Sequence, residues 1–149
     1  MNSMGKASFD ETRVLVVGGA GFVGSNLVKM ILALSPDVRI TVVDNLLSAE
    51  RINVPDAPGI LFVGESVTND KALNSIDDSY DYIFHLATYH GNQSSIHDPL
   101  ADHENNTLTT LKLMNHIRGF RKIRKDRSLR SLRRIPLIPR QKPRIHRRV

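Results

Sequence analysis

The sequence predicts an α/β fold built on a parallel sheet with helices on both faces. Three observations carry this. Short apolar runs of β-branched and aromatic residues recur along the chain at Arg13–Val17, Val38–Val43, Ile60–Val63 and Asp81–Ala87, each the length of a buried strand. After the first run the apolar spacing turns helical, through Val23, Leu27, Met30, Ile31 and Leu34. Gly18, Gly21 and Gly24 stand at the junction between that strand and that helix.

The first unit is the most informative. Val14 to Val17 is a strand, the glycines break it, and a helix follows over about Phe22–Leu34. Glycines without a Cβ allow a tight bend and let backbone N–H groups approach a ligand. The helix start brings unpaired N–H groups and the positive end of its dipole to the same place, so a diphosphate fits there, with Phe22 and Val23 donating. Ser35-Pro36-Asp37 ends the helix. The next strand ends in Asp44, 20 positions beyond Gly24, the spacing at which a dinucleotide site wants an acid for the ribose hydroxyls. A carboxylate there repels a 2′-phosphate, so the expected cofactor is NAD, not NADP. The competing reading is a purely structural turn with a capping aspartate.

The remaining elements follow in order. Residues 1–12 read as a loose leader. Asn45 to Pro58 is a loop with at most one helical turn, since Pro55, Pro58 and Gly59 allow no more. Ile60–Val63 is the third strand, and Gly64–Asn69 a loop. Thr68 or Asn69 caps a short helix containing Leu73 and Ile76. The fourth strand is Asp81–Ala87. Its lone His85 reads as a satisfied core residue in preference to a catalytic one. After the polar loop Gly91–Pro99, a helix is expected from Pro99 to Ile117, with Leu100, His103, Thr107, Leu111 and Met114 on one face, widened by Leu108 and Leu113.

At 149 residues the chain can form one domain with a core. It has no cysteine, hence no disulfide framework or thiol chemistry. Met1–Asp10 lacks the apolar core of a signal peptide, and no apolar run approaches the ~20 residues that span a bilayer. A soluble cytoplasmic protein is expected. The net charge of +6 is unevenly held: residues 1–117 carry 7 Lys/Arg against 14 Asp/Glu, and residues 118–149 carry 14 Lys/Arg against Asp126 alone.

Gly18-Gly19-Ala20-Gly21-Phe22-Val23-Gly24, followed by Val42-Val43-Asp44-Asn45-Leu46, resembles the extended short-chain dehydrogenase/reductase family, the NAD-dependent nucleotide-sugar epimerases and dehydratases. Asp81-Tyr82-Ile83-Phe84-His85-Leu86-Ala87 is similar to that family's D-x-V-x-H-L-A strand, and Ser95 and Pro99 to its S-x-x-x-P segment. The resemblance covers about residues 13–125. It implies a doubly wound parallel Rossmann sheet of order 3-2-1-4, truncated here after about four strands, with a basic C-terminal tail. It places Asn45 beside Asp44 at the cofactor, and Ser66 and Val67 beside the adenine, where the family usually has an acid and an aliphatic residue. Leu86, Ala87 and Thr88 would line the nicotinamide-side ribose. Asn106, seven after Pro99, would order the cofactor loop; the family's following Gly-Thr pair is Thr109-Thr110 here.

The family's reaction uses a tyrosinate as general base on a sugar hydroxyl, with a lysine at i+4 lowering the phenol pKa and hydride passing to the nicotinamide. In this sequence Tyr80, Tyr82 and Tyr89 have Phe84, Leu86 and Gln93 at i+4, and no tyrosine follows Tyr89. No catalytic residue is therefore assigned, and a nucleotide sugar is expected as partner only of a full-length relative. The domain reading is a leader at 1–12, an NAD-binding half-domain at 13–117 and a disordered basic tail at 118–149.

Three readings of the tail stay open. It is the out-of-frame end of a truncated product, or a polyanion-binding tail, or part of a small enzyme with other chemistry. The second would bind nucleic acid without specificity, since no aromatic follows Phe120. Without a fifth strand, Tyr82–Leu86 would be an apolar edge prone to self-association. The family's dimers use the helix matching Pro99–Ile117 and the one bearing Tyr-x-x-x-Lys, so the usual dimer is not expected.

Overall fold

The computed structural model describes residues 8–89 and 96–123. In chain order these form β1 (Arg13–Val17), α1 (Phe22–Leu34), β2 (Arg39–Val43), a 3₁₀ turn (Arg51–Asn53), β3 (Ile60–Val63), α2 (Asp70–Asn74) and β4 (Tyr82–His85). A last helical run follows: α3 (Pro99–Asp102), a π-helical stretch (His103–Leu108) and α4 (Thr109–Ile117). All four strands are parallel and lie in the order β3-β2-β1-β4, the arrangement the resemblance implied.

The register aligns the strand ends. Val17 pairs with Val43 on one side and with His85 on the other, and Val43 pairs with Val63. The residues just beyond, Gly18, Asp44, Gly64 and Leu86, therefore share one edge of the sheet. The chain winds outward from β1 through β2 to β3, then returns to place β4 on the other side of β1. This reversal opens a crevice at the carboxyl ends of β1 and β4.

Alternation along the strands feeds two separate cores. Val14, Val16, Ile40 and Val42 face α1 with Val28 and Ile31; Leu15, Val17 and Val43 face α2 and α4 with Ala72, Ile76 and Leu113. The doubly wound arrangement follows from this split. Asn69 caps α2 by accepting from the Lys71 N–H at 3.0 Å, one of the two candidate caps.

Two helix faces differ from simple periodicity. On α1 the packed residues are Gly24, Ser25, Val28 and Ile31, and Val23, Met30 and Leu34 are exposed. Gly24 turns its bare backbone to the glycine loop, which rotates the neighbouring apolar positions outward. The expected face of the long helix is also corrected: Leu100, Leu111 and Met114 are exposed, and Leu113 is fully buried. This helix carries two apolar stripes, and periodicity alone cannot tell which meets the sheet. Nor is it one uniform α-helix, since the π-helical stretch widens its middle turns.

Part of the expected tail has a defined place. The Arg121 and Lys122 N–H groups donate to the Asp78 carboxylate at 2.9–3.0 Å, and Lys122 Nζ donates to the Ser79 carbonyl at 2.8 Å and lies 3.4 Å from Asp81. Those two main-chain bonds hold the Asp78 carboxyl below the usual range. The readings of residues 124–149, of residues 1–7 and of Ser95 lie outside the described residues.

Replacing Leu113 by Ala should remove about 2–5 kcal/mol of stability, whereas Leu111→Ala should stay within about 0.5 kcal/mol. Urea denaturation of both variants checks which stripe is core.

Candidate functional site

The crevice is a cleft of about 350 Å³. Its floor is the turn after β1. Gly18 has φ +82°, a left-handed conformation that suits glycine, and its N–H donates to the Val43 carbonyl at 2.8 Å. A Cβ at Gly18 would lie 2.6 Å from the Ala87 Cα, so the β1 turn and the end of β4 touch backbone to backbone. Gly24 is equally constrained, because a Cβ there would lie 2.7 Å from the Gly19 Cα. Gly21 differs. Its only near neighbour would be the Gly18 carbonyl oxygen at 3.5 Å, an ordinary contact. Packing demands glycine at 18 and 24, and at 21 it leaves room on the cleft side.

Gly21 is also the residue before α1, and no side chain caps that helix. The first N–H groups of an α-helix have no intrahelical partner, so those of Phe22, Val23 and Gly24 face the cleft these residues line. The helix dipole adds positive potential there, undiminished by any acid in the first turn.

Asp44 closes the second wall. One carboxylate oxygen accepts from the Ala20 N–H at 2.9 Å and the other from the Leu46 N–H at 2.9 Å. The side chain thus ties the glycine turn to the β2 loop. A carboxylate has about four lone-pair sites, so two stay available to a ligand. Leu46 holds a positive φ of 58° beneath it, and Asn45 accepts from the Leu47 N–H at 3.1 Å.

Gly18, Gly21, Phe22, Val23, Gly24, Asp44, Asn45, Ser66, Val67, Leu86, Ala87 and Thr88 all line this one cleft. Asn106 is the exception among the residues singled out from sequence. It stands behind the wall and holds it. Its Oδ1 accepts from the Tyr89 N–H at 2.6 Å and from Thr88 Oγ1 at 3.1 Å; its Nδ2 donates to the Tyr89 carbonyl at 3.2 Å and to Asp102 at 2.9 Å. Both donors and both acceptor positions of the amide are used, which fixes its orientation.

The Ser66 hydroxyl is engaged locally, with Thr68 Oγ1 at 2.9 Å and the Thr68 N–H at 3.2 Å. An acid does line the cleft one position earlier. Glu65 is held by Lys71 at 3.0 Å, and the bond and charge of that ammonium keep its carboxyl below the usual range. Tyr89, Asn105 and Thr109 also line the cleft without having been singled out. The doubled asparagine Asn105-Asn106 was the available signal, but its use depends on the π-helical turn. There Thr109 Oγ1 donates to the Asn105 and Asn106 carbonyls at 3.0 and 2.9 Å. Among the described residues no cluster of three or more His, Cys, Asp or Glu could hold a metal ion, and no helix is long and apolar enough to cross a membrane.

This strand, glycine turn, helix and acid can be set beside known proteins. The family model for the NAD dependent epimerase/dehydratase family matches residues 14–130. The chain belongs to this family. Relatives in it include the UDP-glucose 4-epimerase of Lacticaseibacillus casei, 35% identical over 107 residues, which cover 68% of this chain and 31% of that protein. The crystal structure of the Bordetella bronchiseptica enzyme WbmF in complex with NAD+ superposes with a TM-score of 0.74 at 64% identity, covering 78% of this chain and 35% of that one. The same enzyme has been solved with NAD+ and UDP, and with NADH. The epimerase Mth375 of Methanothermobacter thermautotrophicus is 34% identical with a TM-score of 0.70, over 75% of this chain and 33% of its own. The chain spans about a third of the length of these relatives.

Two glycine variants separate packing from ligand approach. Gly24→Ala should destabilise the fold by about 1–3 kcal/mol, since backbone must move to admit the methyl group. Gly21→Ala should change stability by no more than about 0.5 kcal/mol. Thermal unfolding of each variant checks this, and equal losses would contradict the distinction.

Proposed function

We propose that residues 13–117 form an NAD-binding Rossmann half-domain of the nucleotide-sugar epimerase/dehydratase type. The observation that carries this reading is Asp44. Its carboxylate sits at the end of β2, bound to the Ala20 N–H of the glycine turn, with lone pairs left on the cleft side. In this reading the N–H groups of Phe22 and Val23 take the pyrophosphate at the turn that Gly18, Gly21 and Gly24 make, where Gly21 leaves room for it. Asp44 and Asn45 hold the adenosine ribose and repel a 2′-phosphate. Ser66 and Val67 lie beside the adenine, with the Glu65 carboxylate adjacent. Leu86, Ala87 and Thr88 form the wall for the nicotinamide-side ribose, and Asn106 holds that wall in place. Relatives solved with NAD+ and NADH support the choice of cofactor.

The cofactor would supply hydride transfer when bound. This chain's residues would bind and orient it, but the 149 residues include no tyrosine with lysine at i+4 to take a sugar hydroxyl proton. The proposed activity of this chain alone is therefore cofactor binding without turnover. A nucleotide sugar, as the UDP complex of WbmF suggests, would be the partner of a full-length relative.

Calorimetry with the full chain should show saturable NAD binding and weaker NADP binding. Asp44→Ala should weaken NAD by about tenfold or more and narrow the NAD to NADP ratio, because the carboxylate both attracts one ligand and repels the other. A variant that weakened both ligands equally would assign Asp44 a purely structural role. Absence of saturable heat with folded protein would sink the cofactor reading.

A further inference from the structure

His85 holds a buried Nδ1, the one buried side-chain polar atom among the described residues without a hydrogen-bond partner. Its other ring nitrogen is well used: Nε2 lies 2.9 Å from Thr110 Oγ1. The protonation of this contact is forced by what lies beyond it. Thr110 Oγ1 is also 2.9 Å from the Asn106 carbonyl oxygen, which can only accept. A hydroxyl has one hydrogen; given to the Asn106 carbonyl, it leaves the Thr110 oxygen to accept from the histidine, whereas the opposite tautomer would bury an Nδ1–H with no acceptor at greater cost. Nε2 therefore carries the proton of a neutral imidazole, and Nδ1 is bare.

We infer that His85 is a positioning residue for the cofactor cleft: its Nε2–H, acting through Thr110, fixes the Asn106 backbone and so the amide that clamps Thr88 and Tyr89. The chain of contacts is short and continuous. His85 donates to Thr110, Thr110 to the Asn106 carbonyl, and the Asn106 side chain makes three bonds to the loop that forms the cleft wall. At the π-helical stretch the Asn106 carbonyl accepts from two hydroxyls, those of Thr109 and Thr110, each at 2.9 Å, and the Thr110 hydroxyl is the one that also meets His85. The inference deepens the NAD reading and rests on it. His85 touches no reacting group and is not assigned a catalytic part.

The relay is sensitive to protonation. A second proton would place an N–H at Nδ1, where there is no acceptor. The charged groups on the surrounding elements are engaged elsewhere or lie apart. Arg13 is at the far end of β1, Asp81 accepts from the Arg13 N–H, and Asp102 accepts from Asn106. Lys112 and His116 on α4 bond the Thr68 and Ile76 carbonyls, while His103 and Glu104 are exposed. Tyr82, three residues before His85 on β4, packs against the α1-side core, and Tyr80 gives its hydroxyl to Thr41 Oγ1 at 3.0 Å. Burial alone pushes the His85 pKa down. The folded protein thus prefers the neutral ring. The imidazolium keeps its Nε2–H, so the relay fails only where the unpaired Nδ1–H draws the ring out of its place; that displacement is absent above the ordinary histidine pKa and sets in as pH falls through the lowered one.

The test is NAD calorimetry on the full chain from about pH 8 to about pH 5, with His85→Gln and His85→Leu. Glutamine supplies a non-titrating N–H donor; leucine supplies none. Wild-type affinity should fall on acidification. His85→Leu should bind about fivefold more weakly at the upper end, the worth of one net hydrogen bond. His85→Gln should recover most of that affinity and flatten the profile. If both variants keep the wild-type affinity and profile, the inference is overturned; if the leucine variant does not fold, the profile of the glutamine variant decides. A separate measurement needs no ligand. In the free wild-type protein the Tyr89 amide resonance should titrate with the His85 imidazole midpoint, and should stop doing so in His85→Gln. Loss of NAD binding at every pH alongside that coupled titration would fault the cofactor reading and leave the relay standing. An indifferent Tyr89 amide would remove the relay itself.

Discussion

The contact on which the rest depends is the one between Gly24 in the first turn of α1 and the backbone of Gly18 and Gly19. No side chain fits between them. That closeness seats α1 on the sheet, selects Val28 and Ile31 as its buried face, and leaves Phe22 exposed beside the cleft. It also brings an uncapped helix start over the ends of β1 and β4. A single packing requirement therefore creates a concave surface with unpaired donors, the physical precondition for holding a phosphate.

Two polar devices then stiffen this surface from opposite sides. Asp44 links the glycine turn to the β2 loop through one hydrogen bond from each oxygen. Asn106 links the long helix to the β4 loop with every donor and acceptor of its amide in use. Loops carry binding groups but are mobile unless tied down. Here the two loops flanking the cleft are each tied by one side chain from a neighbouring element. Replacing either side chain would act on the wall geometry as well as on any direct ligand contact.

The local features were the legible ones. β1, α1 and β3 follow from runs of β-branched residues, a change of periodicity and the position of proline, and the structure has them with the same bounds. The glycine spacing and the distance to Asp44 located the cleft, because that geometry is encoded within one short βαβ unit. What sequence could not give was set by tertiary partners. Two apolar stripes on the last helix are equivalent until one of them, through Leu113, meets Leu15 and Ile76. The π-helical turn has no sequence pattern of its own; it coincides with the bonds that the Asn106, Thr109 and Thr110 side chains make. His85 reads as an ordinary core residue until the bare Nδ1 is seen. The anchoring of Arg121 and Lys122 by Asp78 joins residues 43 and 44 positions apart, beyond the reach of any local rule.

The most direct test of this account is an amide chemical-shift map of the full chain as NAD is added. The account predicts that the largest changes fall on Gly18 to Gly24, above all on the Phe22 and Val23 N–H groups, with a second set at Asp44 and Asn45 and a third at Leu86 to Thr88. Folded protein whose spectrum does not change, or changes only away from the glycine turn, would contradict it.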